Sequence, residues 1–425
     1  MSNEFLLALN AALYLGAICY CMRKKVHIVV SCILVLYFLS AVGSIFLMGN
    51  SYFEDGKGTI SFYPLIYLFL MIVLMMKPLT NLRKSFQIEE PNYGVLKWVI
   101  IVTIIVALPR AIQALLNFDE VIFGLMRDAT TADVIEGVSI YDKKSGGGFN
   151  YLSILGGAAF ALAPLLLMYY ISLKRTSKFL IAMLILVSIA SSLEETAKGG
   201  RGALVNFMMC ILFLYILLRP IYPPKTKRTL ILFGGGIFAV LLGVFYLVTM
   251  FKHGYLDEDA RQVRTLGYIS QNYIIFDSYG LDAGGVRYGT RTATMITKLV
   301  DPSSPSTYAE RISRFGYMKI NESKFSTFVG DYTLDFGPII TVLLFIIFSA
   351  VFTEKLKNKG QIPFYKLFLI FFLMKLLIFG LFLSPYCNLG GNLQILVFFV
   401  MYEFFKSNRK QLLAITKNIS SRNEN

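Results

Sequence analysis

The sequence predicts an all-α polytopic membrane protein with about eleven transmembrane helices and one large extracytoplasmic loop. Of its 425 residues, 56% are hydrophobic and only 16% are charged, whereas a soluble domain carries roughly 25% charged residues. Mean hydropathy is +0.62, and membrane-length apolar runs recur along the whole chain. The alternating segments of about ten residues that are typical of an outer-membrane barrel are absent from the sequence.

The apolar runs divide the chain into three parts. Residues 1–250 hold eight predicted helices with short loops, residues 251–336 form the large loop, and residues 337–425 hold three helices and a tail. We call residues 251–336 the outer segment. The predicted spans are 5–22, 27–48, 60–76, 95–116, 151–173, 179–193, 203–218, 229–250, 337–352, 363–383 and 392–405.

Two features of these runs leave alternatives open. The first run lacks a small-residue cleavage site, so we expect a retained span and not a removed signal peptide. Several runs are shorter than the ~20 residues needed to cross the hydrocarbon core. Residues 179–193 and 203–218 therefore have an alternative interpretation as one helical hairpin that dips into the membrane.

Charge predicts the orientation. Lysine and arginine residues outside the spans concentrate in alternate connections, such as 23–25, 174–178 and 225–228, and in the C-terminal tail. The positive-inside rule places these connections in the cytoplasm. The chain is then a multi-pass protein whose N-terminus and outer segment lie outside and whose C-terminus lies in the cytoplasm.

The net charge of +15 follows from this topology. The basic connections suit the anionic headgroups of membrane lipids, and the outer segment contains equal numbers of basic and acidic residues. We therefore expect membrane lipids as partners and no binding to nucleic acid. With five cysteines and two histidines in the chain, no disulfide framework, metal-ligand spacing or Ser-His-Asp arrangement is present, and we expect no metal and no cofactor.

A short glycine-rich turn is the first candidate site. It contains Glu195, Lys198, Gly200 and Arg201 and ends where a predicted helix begins. Glycine lets backbone N–H groups approach a ligand closely, and a helix N-terminus favours an anion. The turn therefore predicts a cradle for phosphate or diphosphate. The alternative is a tight turn whose charged side chains snorkel to the membrane interface.

The outer segment is the second candidate. Its arginines, Arg287 and Arg291, suit phosphate oxygens, and its tyrosines, Tyr288 among them, suit the apolar faces of sugars. Each arginine has an alternative role as an ordinary ion-pair partner. Asp331 and Asp335 are spaced i, i+4 and would share one face of a helix that begins early, although acidic residues also complement a helix N-terminus.

Two cations within predicted spans form the third candidate. Lys375 lies within the span 363–383, and Arg110 follows Pro109 near the predicted outer end of 95–116. A charge inside the membrane is costly and indicates function by default. For Lys375 the alternative is a buried ion pair between helices. Arg110 could instead snorkel outward or face a lipid diphosphate.

Two local patterns and the overall architecture carry a resemblance. One pattern is the turn Lys198-Gly199-Gly200-Arg201-Gly202 at the start of a helix, and the other is the run of Thr327, Asp331, Asp335, Phe336 and Gly337 entering a span. In these patterns, in its span number and in its single large late loop, the chain resembles the Wzy-type polymerases of O-antigen and capsule assembly. It departs from relatives that carry Arg-x10-Gly in two outer loops, since here this spacing occurs only from Arg83 to Gly94.

The resemblance implies a metal-independent glycosyltransferase with an architecture like that of GT-C-type enzymes. It would join undecaprenyl-diphosphate-linked repeat units into O-antigen or capsular polysaccharide at the periplasmic face of a bacterial inner membrane and release undecaprenyl diphosphate. Its N-terminus and outer segment would then be periplasmic. A Wzz-type chain-length regulator and a Wzx-type flippase would be partners. Alternatives are a flippase, which should carry polar residues through several spans, and an O-antigen ligase, whose relatives share a histidine in the long loop that His253 matches only at the membrane edge.

The resemblance also assigns roles to the candidate residues. Such a transfer needs cations for the departing diphosphate and a base for the acceptor hydroxyl. We expect Arg201 to stabilise the diphosphate, and the base to be Asp331, Asp335 or Glu195. Substrate-binding candidates are Lys198, Gly200, Arg110, Arg287, Arg291 and Tyr288.

Overall fold

The structure is a computed structural model. It describes residues 2–50, 53, 58–83, 86–116, 151–197, 202–240, 242–243, 246, 257–316, 318–319, 322, 324–357 and 361–423. Within these ranges the side chains of 151–155, 158, 191, 194–197, 202–204 and 412–423 are not described. The described backbone is helical apart from turns, loops and one pair of very short strands.

The helices are numbered here in chain order. They are α1 Asn3–Arg23, α2 Ile28–Leu47, α3 Phe62–Met76, α4 Tyr93–Leu116, α5 Tyr151–Tyr170, α6 Lys178–Ala197, α7 Gly202–Leu218, α8 Pro224–Thr229, α9 Glu258–Tyr279, α10 Thr294–Val300, α11 Tyr308–Phe315, α12 Thr327–Leu356, α13 Lys366–Phe379 and α14 Asn388–Asn423. A 3-10 turn, Lys77–Asn81, continues α3. The strands β1 Ile88–Glu89 and β2 Ile362–Pro363 pair in parallel.

Helix length and apolarity support a multi-pass membrane protein. Five described helices are long and apolar enough to cross a membrane: α1, α2, α3 with its 3-10 turn, α4 and α12. Shorter apolar stretches, 159–170, 178–190 and 205–221, coincide with α5, α6 and α7. The predicted span 229–250 lies partly outside the described residues.

Helix α12 begins at Thr327 and not at Gly337, where the span was predicted to start. Gly337 interrupts it with φ 76° and ψ 165° and is followed by Pro338. Glycine tolerates positive φ, and proline is favoured in the first turn of a helix. The interruption separates a polar helical stretch, which carries Asp331 and Asp335, from the apolar stretch that follows.

The basic connections meet at one end of the helices. The strand pair β1–β2 and the ion pair between Arg409 and Glu89, with an Nε–Oε1 distance of 2.8 Å, lie at this end. The charge segregation in the sequence is therefore also a segregation in space. Further contacts that join these connections include Val26 with Arg83, Ile362 with Gln87, Asn81 with Thr353, Tyr169 with Phe364 and Tyr222 with Met168.

The outer segment begins with α9, which packs along α2. The hydroxyl of Ser40 donates to the carbonyl of Ile269 at 2.8 Å, and the hydroxyl of Tyr273 donates to the carbonyl of Tyr37 at 3.0 Å. A Cβ at Gly43 would overlap the side chain of Ser270. Since higher numbers in α2 meet lower numbers in α9, the two helices run antiparallel. Helix α9 is thus part of the helical body and not a detached cap.

Candidate functional site

A buried cluster of charged side chains joins the chain after α9 to the start of α12. Its centre is Glu322, whose Oε2 accepts hydrogen bonds from Arg311 Nε at 2.9 Å and from Arg311 Nη2 at 2.7 Å. The same oxygen lies 3.2 Å from Arg291 Nη1, and Oε1 lies 3.2 Å from Arg287 Nε. All four residues are buried. We call Arg287, Arg291, Arg311, Glu322, Asp331 and Asp335 the ion network.

Helix α12 contributes the two aspartates. Asp331 Oδ1 lies 2.7 Å from Arg291 Nη2, and its Oδ2 accepts from the backbone N–H of Ser384 at 2.5 Å. Asp335 Oδ2 accepts from the backbone N–H and the hydroxyl of Thr292, both at 2.6 Å. The i, i+4 spacing therefore does place both carboxylates against the segment that carries Arg291.

A tight backbone turn brings this segment onto α12. The N–H of Arg287 donates to the carbonyl of Leu334 at 3.0 Å. Tyr288 and Gly289 follow with φ values of 53° and 77°. A Cβ at Gly289 would lie 3.2 Å from two ring atoms of Phe336. Glycine is required there both for its conformation and for the close approach of the ring, and the turn lets Arg287 and Arg291 reach the same glutamate.

The connection between α13 and α14 closes the network on a third side. The N–H of Thr327 donates to the carbonyl of Phe382 at 3.0 Å, and the N–H of Asn388 donates to the carbonyl of Arg291 at 2.8 Å. The amide of Asn392 donates to the carbonyl of Thr292 at 2.8 Å. Backbone bonds therefore hold α12, α14 and the arginine-bearing segment in one fixed register.

The network holds three cations and three carboxyl groups, so their formal charges balance. Burial alone would raise the pKa of Glu322, but the hydrogen bonds from Arg311 and the charges of the arginines hold this pKa below its ordinary value. Burial also lowers the pKa of Arg287. For Arg291 burial acts in the same direction, yet the carboxylates of Asp331 and Glu322 raise its pKa above the ordinary value.

The two aspartates differ in how their oxygens are used. Both oxygens of Asp331 have partners, Arg291 and Ser384. Asp335 has all of its donors on Oδ2, and its Oδ1 has no hydrogen-bond partner among the described residues. A carboxylate oriented through one oxygen, with the other oxygen uncommitted, is the arrangement a proton acceptor needs. Both residues are buried, at 2% and 0% exposure.

The remaining candidates in the described chain lie apart from this chemistry. Tyr288 is next to Arg287, but its side chain is 68% exposed and its ring contacts Phe315 at a centroid distance of 6.1 Å. Arg110 lies on α4, half-buried, with its guanidinium 5.9 Å from the ring centre of Phe160. A Cβ at Gly157 would lie 2.8 Å from Arg110 Nη1, so this glycine of α5 makes room for the cation.

The glycine-rich turn falls outside the description. Residues 198–201, which include Lys198, Gly200 and Arg201, are not among the described residues, and the side chain of Glu195 is not described either. The flanking helices, α6 and α7, end at Ala197 and begin at Gly202. The sequence that predicts a diphosphate cradle therefore lies outside the described residues, between these two helix ends.

Lys375 meets a neutral partner. Its ammonium donates to Oε1 of Gln394 on α14 at 2.7 Å and lies 6.0 Å from the ring centres of Phe379 and Tyr386. An amide oxygen and aromatic faces solvate an ammonium group within a helical bundle. The contacts suit a cation that fixes the register of α13 and α14.

No pattern in the sequence singles out Glu322, Arg311 or Thr292 as site residues. Glu322 lies in an irregular stretch, and nothing around it in the sequence distinguishes it from an exposed loop carboxylate. Arg311 carried a weak signal, because it follows a capping box formed by Thr307 and Glu310 and so lies on a short helix. Among the described residues, no group of three or more His, Cys, Asp or Glu side chains could hold a metal ion.

Comparison with known proteins gives no further guide. No protein-family model matches the chain, and neither a curated protein nor a solved structure matches it. The class that the fold and composition define is a multi-pass helical membrane protein.

Proposed function

We propose that the chain is a Wzy-type polymerase that joins undecaprenyl-diphosphate-linked oligosaccharide repeat units into O-antigen or capsular polysaccharide. In this proposal the protein has about eleven spans in a GT-C-like arrangement. It acts at the periplasmic face of the inner membrane, with its N-terminus outside and its C-terminus inside. The growing glycan is transferred from its diphosphate lipid to a sugar hydroxyl of the next unit, and undecaprenyl diphosphate leaves.

The observation that carries the proposal is the ion network at the end of the helices opposite the basic connections. An enzyme of this kind needs cations and a carboxylate at the face where lipid-linked substrates arrive. The positive-inside rule places the basic end in the cytoplasm, and hence the network at the periplasmic face. Folding gathers the carboxylates of the network at that end of the helices, and among them Asp335 keeps Oδ1 without a hydrogen-bond partner in the described part of the chain.

Helix directions place the start of α7 near the same face. The end of α7 lies near the end of α5, because Tyr222 donates to the carbonyl of Met168 at 2.9 Å. The end of α5 lies near the start of α13, because the rings of Tyr169 and Phe364 are 4.4 Å apart. The start of α7 and the end of α13 therefore lie at the other end, where the α13–α14 connection contacts the network. Arg201 directly precedes the start of α7 in sequence.

The contacts divide the roles among the arginines. Arg287 and Arg291 are already committed to Glu322 and Asp331, so a diphosphate would have to displace a buried carboxylate to bind them. We therefore assign the diphosphate to Arg201 and Lys198, and we assign Arg287 and Arg291 to positioning the outer segment. Tyr288, exposed beside them, remains a candidate for contact with sugar.

The same comparison favours Asp335 over Asp331 as the base. Asp331 uses both oxygens to hold Arg291 and the α13–α14 connection, whereas Asp335 keeps Oδ1 without a partner among the described residues. Because Asp335 is fully buried, the protein must open around its carboxyl group before the acceptor hydroxyl can reach Oδ1. Asp335→Asn keeps an acceptor for Thr292 and removes the base.

The surface glycan of the source strain tests the proposal. Deletion of the gene should leave a single repeat unit on the acceptor lipid, and the wild-type chain should restore a ladder. Arg201→Ala and Asp335→Asn should restore only the single repeat while the protein still accumulates in the membrane. Arg314→Ala, which alters an exposed pair with Asp301, is the control and should restore the full ladder.

Other outcomes identify other functions. A deletion strain with no repeat unit on the acceptor indicates a flippase, and one with a disordered length distribution indicates a chain-length regulator. Polymer that accumulates on undecaprenyl diphosphate without reaching its final acceptor indicates a ligase. A normal ladder from Arg201→Ala removes Arg201 from the mechanism.

A further inference from the structure

Helix α10 carries an exposed apolar face. Ile296, Leu299 and Val300 are 60%, 78% and 83% exposed, and their i, i+3, i+4 spacing places them on one side of the helix. We call these three residues the α10 patch. The opposite side is anchored, since Thr294 is fully buried and its hydroxyl donates to the carbonyl of Thr290 at 2.8 Å. Large apolar side chains gathered on one face of a short helix indicate a contact with something apolar.

The helix is held beside two apolar helices. On one side the N–H of Met295 donates to Oδ1 of Asn392, in the first turns of α14, at 2.9 Å. On the other side Thr292 is bonded to Asp335 of α12. The α10 patch therefore lies at the end of these two helices and cannot move away from them without breaking buried hydrogen bonds.

Both neighbouring helices present apolar side chains outward just beyond this point. On α12, Ile339 and Leu343 are 77% and 56% exposed. On α14, Leu396 and Val400 are 46% and 51% exposed, one helical turn apart. In a membrane-spanning helix such a face contacts lipid acyl chains. The α10 patch lies at the ends of the two helices that carry these exposed side chains.

The flanking residues suit the region of the lipid headgroups. Tyr288, 68% exposed, precedes Gly289, which lies against the ring of Phe336 on α12, and tyrosine is enriched at membrane interfaces. Lys298 lies within α10, and a lysine side chain can extend from an apolar surface to the headgroups. Aromatic, basic and apolar side chains thus occur in the arrangement that is typical of an interfacial helix.

We infer that α10 lies in the membrane interface, with the α10 patch inserted among the acyl chains of the leaflet next to the ion network. The occupant of the patch is lipid. The outer segment is then attached to the membrane directly as well as through α9 and the network. This inference depends on exposure and position and is independent of the proposed enzymatic activity.

Tryptophan fluorescence tests the inference, because the chain has one tryptophan, Trp98, which is 69% exposed on α4. In a Trp98→Phe background, Leu299→Trp places the only indole in the α10 patch, and Ser313→Trp places it at an exposed position on α11. Each full-length protein is reconstituted into phosphatidylcholine vesicles. Quenching is measured with lipids brominated near the headgroup and with aqueous iodide. Native Trp98 is the reference for a lipid-facing indole.

The inference predicts that Leu299→Trp loses as much fluorescence to brominated lipid as Trp98 does and is protected from iodide, while Ser313→Trp shows the reverse. Equal iodide quenching of Leu299→Trp and Ser313→Trp would overturn it. So would protection of Leu299→Trp from both quenchers, since another protein surface would then cover the patch. Val300→Trp repeats the measurement at a position exposed enough to accept indole without displacing a neighbour.

Discussion

The two halves of the outer segment are attached to the helical body by different kinds of interaction. Helix α9 is held on α2 by neutral hydrogen bonds and close packing around Gly43, with the rings of Tyr14 and Tyr273 5.8 Å apart. The chain from Arg287 to Glu322 is held by the ion network. The stability of a neutral packed contact depends mainly on the fit of the two surfaces. The stability of a buried charge cluster depends on every partner being present, because an unpaired charge in a protein interior is costly.

The comparison indicates what each half contributes. Replacing a buried ion pair with apolar residues is often neutral for stability, so the network is better understood as fixing register than as the main source of stability. It sets where Arg291 and Tyr288 lie relative to Asp335 on α12. The packing of α9, by contrast, attaches the outer segment to the helices without positioning the candidate site residues.

The largest effect should come from breaking the network at its centre. Glu322→Ala leaves three buried guanidinium groups without their shared carboxylate and should destabilise the fold by about 3–5 kcal/mol. Thermal unfolding in detergent, with limited proteolysis of the outer segment, measures this loss. Arg314→Ala is the matched control, since its pair with Asp301 is 47% and 43% exposed and should change stability by less than about 1 kcal/mol. Equal effects of the two variants would show that the network is not coupled to folding.

A smaller effect should come from the packing of α9 on α2. Gly43→Ala adds a methyl group that overlaps Ser270 and should cost about 1–3 kcal/mol as the helices separate. Gly16→Ala on α1 is the control, because no atom lies within 4 Å of its added Cβ, and alanine is the better helix former. The prediction fails if both variants unfold at the same temperature as the wild type.

The smallest effect should be a difference between the two halves of the outer segment in how their contribution to stability depends on pH. Burial raises the pKa of Asp277 on α9 to about 6, against the hydrogen bond from Ser61, so its contribution to stability is lost as pH rises through about 6. The pKa of Glu322 is lowered, so its contribution is lost as pH falls below its ordinary value of 4.5. Asp277→Asn should therefore flatten the pH dependence of the unfolding temperature between about pH 4 and pH 6, the interval between the ordinary pKa of 3.8 and the raised pKa.

The matched variant for this test is Glu322→Gln. It should flatten the pH dependence of the unfolding temperature below about pH 4.5 and leave the slope at higher pH unchanged. Unfolding temperatures of the wild type and both variants, measured from the acid side to neutral pH, test both predictions. If either variant flattened the opposite side, the pH dependence would belong to other groups. The change in unfolding temperature should be modest for Asp277→Asn, since the side chain of Asp277 is only half-buried and solvent screens its charge.

Some of the candidate site was within reach of sequence reasoning. The spacing of Asp331 and Asp335 predicted one helix face, and the alternative role of Arg287 and Arg291 as ion-pair partners matches their contacts. Glu322 was out of reach, because the contacts that define it link residues far apart in sequence through a stretch without periodicity. The early start of α12 at Thr327 was missed because Gly337 and Pro338 resemble a helix boundary when read along the chain.

The sequence by itself determined that the chain is a multi-pass helical membrane protein whose basic connections alternate with weakly charged ones, because hydropathy and charge are local properties. Only the tertiary structure decided which carboxylate pairs with which arginine, that α9 belongs to the helical body, and that Asp335 keeps one oxygen uncommitted. Those facts depend on distances between separate elements, and packing alone fixes such distances. The position of the α10 patch beside α12 and α14 is of the same kind.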